Sequence, residues 1–140
     1  MKPTGGDVAE FVAAVTPDKR RRDAETLVEV LSEITGLKPV LWGTIIGFGA
    51  CHYRYPTGTE GDMPLAAFAP RKASSTIYLL EGAEPHAVEL AVLGPHTVSR
   101  GCLYLKDLTT TDLSALRRII KRSYALAVAD EIPGMTITTA

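Results

Sequence analysis

Arg71, Lys72, Arg100 and Lys106, interleaved with Tyr78 and Tyr104, are the side chains of this sequence best suited to hold an anion. Guanidinium and ammonium groups give charge-assisted hydrogen bonds, and aromatic walls keep bulk water away from them. Together they suit a small anion or a peptide carboxylate. The competing reading is scattered surface charge with half-buried tyrosines. A second set, Asp18, Glu25, Glu29 and Glu33, recurs at helical spacing and offers oxygen ligands to a hard cation such as iron. Arg21 and Arg22 lie within a turn of Glu25 and compete as ion-pair partners, so a solvated, partly paired helix face is the rival meaning.

Other constellations are weaker. Cys51, His52, His96 and Cys102 include zinc-type ligands but lack the local spacing that preorganises a structural zinc site. Gly43, Gly47 and Gly49 match neither the dinucleotide fingerprint nor the P-loop, and read instead as turns or close backbone approaches around Trp42 and Phe48. His86 reads as a surface residue on the first turn of a helix. No serine sits in a nucleophile elbow, and the three histidines fall on different elements, so no reaction is written in the chain.

The elements that must position these groups follow from periodicity. Asp7 and Glu10 start a short first helix. Thr16 as N-cap, Pro17 at the first helical position and Gly36 bound a long helix over 17–35, whose stripe Ala24, Leu27, Val28, Leu31 and Ile34 lies opposite the acidic residues. Runs rich in β-branched and aromatic residues predict strands near 40–47, 50–55, 65–69 and 74–80, with 57–62 as a hairpin loop. A helix follows Pro85, a fifth strand spans 101–106, and a last helix starts at Thr111-Asp112 on the stripe Leu113, Leu116, Ile120, Tyr124, Ala127 and Val128. Its other side carries Arg117, Arg118, Lys121 and Arg122, which read as a solvated basic face. The expected fold is an α+β two-layer sandwich, a mostly antiparallel sheet of about five strands with helices on one face. Alternation sends Ile77, Leu79, Leu103 and Leu105 toward the helices and leaves Thr76, Tyr78, Cys102, Tyr104 and Lys106 on an open face.

Composition bounds the rest. The 140 residues are expected to form one domain over 1–140, with a core over about 8–130 and a polar tail over 131–140. A hydrophobic fraction of 46% against 22% charged residues excludes a disordered chain. A net charge of −1 gives no field to attract nucleic acid or an anionic membrane surface. No secretory-type apolar stretch follows Met1, no run approaches the ~18 apolar residues of a membrane span, and two distant cysteines suggest reduced, unbonded thiols, so a cytoplasmic location is expected.

Trp42-Gly43, Ile46-Gly47-Phe48-Gly49, His52-Tyr53-Arg54-Tyr55, the loop Thr57-Gly58-Thr59-Glu60-Gly61-Asp62 and Ala69-Pro70-Arg71-Lys72 occur in one ordered series, continued by Leu93-Gly94, His96 and Gly101-Cys102-Leu103-Tyr104-Leu105-Lys106. As an ordered set, over about residues 8 to 128, they resemble the YdhG-like family of domains of unknown function. The resemblance implies a small fold of frataxin-like outline and, in some relatives, a proposed role in intracellular iron handling. The chain departs from that pattern at Pro95 and Ser99-Arg100, where lysine and glycine are commoner. The function expected from residues and resemblance together is a noncatalytic binding or accessory module, needing no cofactor, with a small-anion or peptide site on the open sheet face. The alternatives are a frataxin-like iron-binding chaperone using the acidic helix and a small-molecule-modifying enzyme. The expected partner is a small molecule or a protein, and the chain itself a monomer or weak homodimer.

Overall fold

The computed structural model describes residues 1–139. Asp7 caps α1 (Val8–Ala13) by accepting the Glu10 amide, and Gly36, at φ 68°, closes α2 (Asp18–Thr35) in the left-handed conformation that glycine adopts without strain. Pro17, not Thr16, is the N-cap of α2, and no side chain caps that end. The stretch expected as one strand over 40–47 is two, β1 (Pro39–Trp42) and β2 (Ile45–Phe48), because the chain reverses at Gly43, where φ is 69°. β3 (Cys51–Arg54) and β4 (Glu60–Met63) follow. The hairpin loop is shorter than expected, since Glu60, Gly61 and Asp62 pair with β3. Then come β5 (Ala66–Pro70), β6 (Ser75–Tyr78), a 3-10 turn at Glu84–His86, α3 (Ala87–Val92), β7 (Thr97–Ser99), β8 (Cys102–Leu105), α4 (Leu113–Val128) and β9 (Thr136–Thr139).

The architecture is α+β with helices packed on one side, as expected, but it has more strands. Six form one antiparallel sheet in the order β1-β2-β5-β6-β8-β7, and β4-β3-β9 form a second. The register lines up Leu41, Ile46, Phe68, Ile77, Leu103 and Val98 in one row across the large sheet. All of these but the edge residue Val98 are buried, against Leu27 and Leu31 of α2 and Leu116, Ile119 and Ile120 of α4. Val28 and Ile34 of the α2 stripe are only partly buried. On α4, Leu113 and Val128 are exposed, while Ala115, Ile119 and Ser123 take the inward places. That shift turns the helix by about one residue from the expected stripe.

The other face of the large sheet is not wholly open. Trp42 and Phe48 are buried, as expected from their flanking glycines, but on opposite faces. Trp42 lies over Gly47, where an added Cβ would come within 2.7 Å of both the indole ring and Pro64. Ala67 and Ala69 of β5 and Thr76 of β6, on the same face by register, are buried as well. The segment expected as a polar tail is instead β9, paired with β3. Its inward residue Ile137 packs with Cys51, Met63, Ile132 and Ala127 of α4 in a second small core, and this alternation holds an otherwise polar strand. No described helix is long and apolar enough to cross a membrane.

Candidate functional site

Tyr104 and Lys106 line a cavity of about 290 Å3 at one end of the large sheet. Tyr104 comes from β8 and Lys106 from the residue just past its end, the β5–β6 turn adds Ala73 and Ser74, Pro95 and His96 come from the segment entering β7, and Thr97 is the first residue of β7. Asp107 and Thr110 complete the wall. Lys106 is exposed and has no ion-pair partner among the described residues. His96 Nδ1 lies 2.8 Å from the Gly94 carbonyl, which can only accept, so Nδ1 carries a proton and donates to it. The Tyr104 hydroxyl is held 2.8 Å from Ser99 Oγ across the β7–β8 pair.

The other residues expected at this site are placed elsewhere. Arg71 is in the β5–β6 turn, where its Nη1 donates to Thr44 Oγ1 at 2.7 Å. Lys72 is its exposed neighbour, at the same end of the sheet as Lys106. Arg100 is at the far end of β8, and Tyr78, opposite Cys102, borders a separate small apolar recess with Ile45, Pro64 and Leu80. The strand register explains the split, because Tyr78 and Lys106 lie at opposite ends of the β6–β8 ladder.

What holds the cavity is a group of charges whose roles were not foreseen. Arg20, on the same stripe as Ala24, Leu27 and Leu31, is buried beneath the sheet; its Nη1 donates to the carbonyls of Lys106 at 3.2 Å and Leu105 at 3.4 Å and to Ser75 Oγ at 3.4 Å. Buried Asp23 lies 3.7 Å from Arg20 and accepts the Leu108 amide at 3.1 Å. Arg22 then bridges Asp23 and Asp107, each at 2.8 Å. The Thr109 hydroxyl and amide, followed by Arg22, hold the Asp107 carboxyl below the ordinary range. Asp107 is therefore ionised but already matched by a cation, so it does not cancel Lys106. The spacing of Arg20 and Asp23 on the apolar stripe was the available signal; their charge concealed it.

The acidic stripe does not converge. Asp18 is paired with Arg21 at 2.9 Å and Glu33 with Arg117 at 2.8 Å, while Glu25 and Glu29 border the groove between α1 and α2 together with Arg22. Asp18 and Glu33 are about 22 Å apart along the helix. Among the described residues no three histidine, cysteine or acidic side chains come together to hold a metal ion. Spread along the helix and partly ion-paired, these donors do not fit iron as they stand.

The three histidines have three environments. His86, expected at the surface, is fully buried between the 3-10 turn and α4. Arg122 Nη1, which can only donate, lies 3.0 Å from His86 Nδ1; this fixes the ring as the neutral tautomer whose Nε2–H donates to Glu81 Oε2 at 2.6 Å. Ser123 donates to the other Glu81 oxygen at 2.9 Å, and Arg122 also binds Glu89, whose carboxyl it holds below its usual range. On the small sheet, exposed His52 is bracketed by Asp62 at 2.9 Å and Glu60 at 2.8 Å, which raise its pKa, Asp62 first. Cys51 and Cys102 are free thiols on different sheets, and burial, with a smaller push from Asp62, raises the Cys51 thiol to about 11. A thiol in that state is no nucleophile near neutrality.

No protein-family model, curated protein or solved structure matches the chain.

Proposed function

We propose that the chain is a noncatalytic binding module whose ligand is a small anion or a carboxylate, held in the cavity between Lys106, His96 and Tyr104. The observation that carries this reading is the state of Lys106. Among the described residues it is the one cation in the wall of a concave site and has no ion-pair partner, and the competing carboxylate of Asp107 is already bound by Arg22. Ser74 and Thr97 add hydroxyl groups to the same wall, and Arg20 fixes the backbone carbonyls beneath it. Among the described residues no wall hydroxyl is hydrogen-bonded to His96, so no nucleophile is paired with a base. The resemblance to YdhG-like domains favours the same class, since it brings no catalytic motif with it.

Titration of the 15N-labelled protein with sodium acetate and with inorganic phosphate tests the reading. Amide shifts are expected at residues 95–97 and 104–107, and Lys106→Ala is expected to weaken the response at least fivefold with thermal unfolding unchanged. Equal binding by the variant, or shifts centred on Arg100 or Tyr78, overturns it.

A further inference from the structure

The two edges of the large sheet are treated differently. Along β1 the chain's own N-terminal segment covers the edge, with the Thr4 amide donating to the Leu41 carbonyl at 2.9 Å and the Gly43 amide to Thr4 Oγ1 at 3.0 Å. Along β7 no described residue covers it: Thr97, Val98 and Ser99 are all exposed. The register says which groups face out. The Leu79 amide donates to the Gly101 carbonyl at 2.8 Å, so Gly101 turns its backbone to β6. By alternation Leu103 and Leu105 do the same, while Cys102 and Tyr104 turn theirs to β7. Ser99 and Thr97, opposite Cys102 and Tyr104, therefore spend their amide groups inside the sheet, and Val98 points its N–H and C=O away from it. The strand that carries this free pair begins at Thr97, in the cavity wall.

We propose that edge and cavity are one site: an extended peptide adds to β7 as an antiparallel seventh strand, pairing with Val98, and its C-terminal carboxylate enters the cavity against Lys106. This rests on the anion-binding reading above and names the ligand class. Direction follows from geometry, because a strand antiparallel to β7 runs from Ser99 toward Thr97 and so ends at the cavity. The backbone pairing supplies affinity without regard to sequence, and the single ammonium demands a free carboxylate. The short strand and the proline at its entrance limit indiscriminate edge pairing, leaving a site that needs both halves.

The probe is an acetylated pentapeptide of alternating valine and threonine, as free acid, as C-terminal amide, and as free acid with alternate backbone nitrogens methylated, beside sodium acetate. The free acid is expected to shift the Val98, His96 and Lys106 resonances and to slow exchange of the Val98 amide at least fivefold. The amide and the N-methylated peptide are each expected to bind at least fivefold more weakly. Val98→Pro removes an N–H that the sheet does not use, and is expected to retain the acetate response while losing the peptide. If that variant fails to fold, the N-methylated peptide makes the same test on the unaltered chain. Acetate binding without Val98 protection by the free acid, or equal binding of acid and amide, overturns the inference and leaves the cavity reading standing. No acetate response removes both.

Discussion

The polar cluster between α3 and α4 and the cavity beside β8 use the same residue types and complete them differently. In the first, the side chains of Glu81 and His86 are wholly buried and each polar group meets a partner from the chain: carboxylate to imidazole, imidazole to guanidinium, guanidinium to a second carboxylate. Such a closed network fixes how one element packs on another, since losing any member strands the rest in low dielectric. In the second, Arg22 and Thr109 satisfy Asp107, Arg20 satisfies the strand-end carbonyls, and Lys106 is left over. A charge matched by its own chain is structural; one left unmatched in a concave wall has a role only when something else arrives.

The largest expected effect that sharpens this contrast is His86→Ala. It leaves the buried Glu81 carboxylate with Ser123 as its remaining side-chain partner and opens a void, so unfolding by urea is expected to show a loss of about 3–5 kcal/mol. Lys106→Ala is expected to stay within about 0.5 kcal/mol of the parent by the same measurement. A comparable loss at both positions would erase the distinction between the regions. Next comes a test of the two sheet faces. Leu103→Ala removes a fully buried side chain from the central row and is expected to cost about 2–5 kcal/mol. Arg71→Ala gives up an exposed hydrogen bond to Thr44 and is expected to change the melting temperature little. A stability left unchanged by Leu103→Ala would mean that this row is not the packed face of the sheet.

The elements were legible where periodicity and caps agreed. α2 lies within a residue of its expected bounds, α4 starts where its N-cap was expected, and Ile77, Leu79, Leu103 and Leu105 face the helices as alternation requires. β7 and β9 escaped because each is three or four residues of threonine, serine and valine or isoleucine, too short for alternation to register against a loop. The site was half legible. Tyr104 and Lys106 follow from strand parity, but which turn meets which strand end depends on pairing order, and that placed Arg100 and Tyr78 apart from Lys106. Arg20, Asp23 and His86 were hidden for a different reason: a charged or polar side chain reads as solvent-facing unless its partners, 55 to 86 residues away for Arg20, are known.

The smallest effect sought is the pH dependence of His52, an exposed counterpart to His86. Both His52 nitrogens face carboxylate oxygens, Asp62 and Glu60, so the ring donates twice and the folded state favours the imidazolium. Its pKa is raised, which means the folded state holds the proton more tightly than the unfolded chain. The resulting stabilisation is fully present below the ordinary histidine pKa of about 6.5 and is lost as pH rises through the higher folded value. Solvent screening keeps it small, because all three side chains are about half exposed. Melting temperatures of the parent and of His52→Ala are therefore expected to differ at pH 5.5 and to draw together by pH 9, with the difference at pH 5.5 shrinking in 1 M salt. A gap that widens with pH would show that His52 acts as a neutral acceptor on the small sheet, and that its two carboxylates are not what orders the β3–β4 pair.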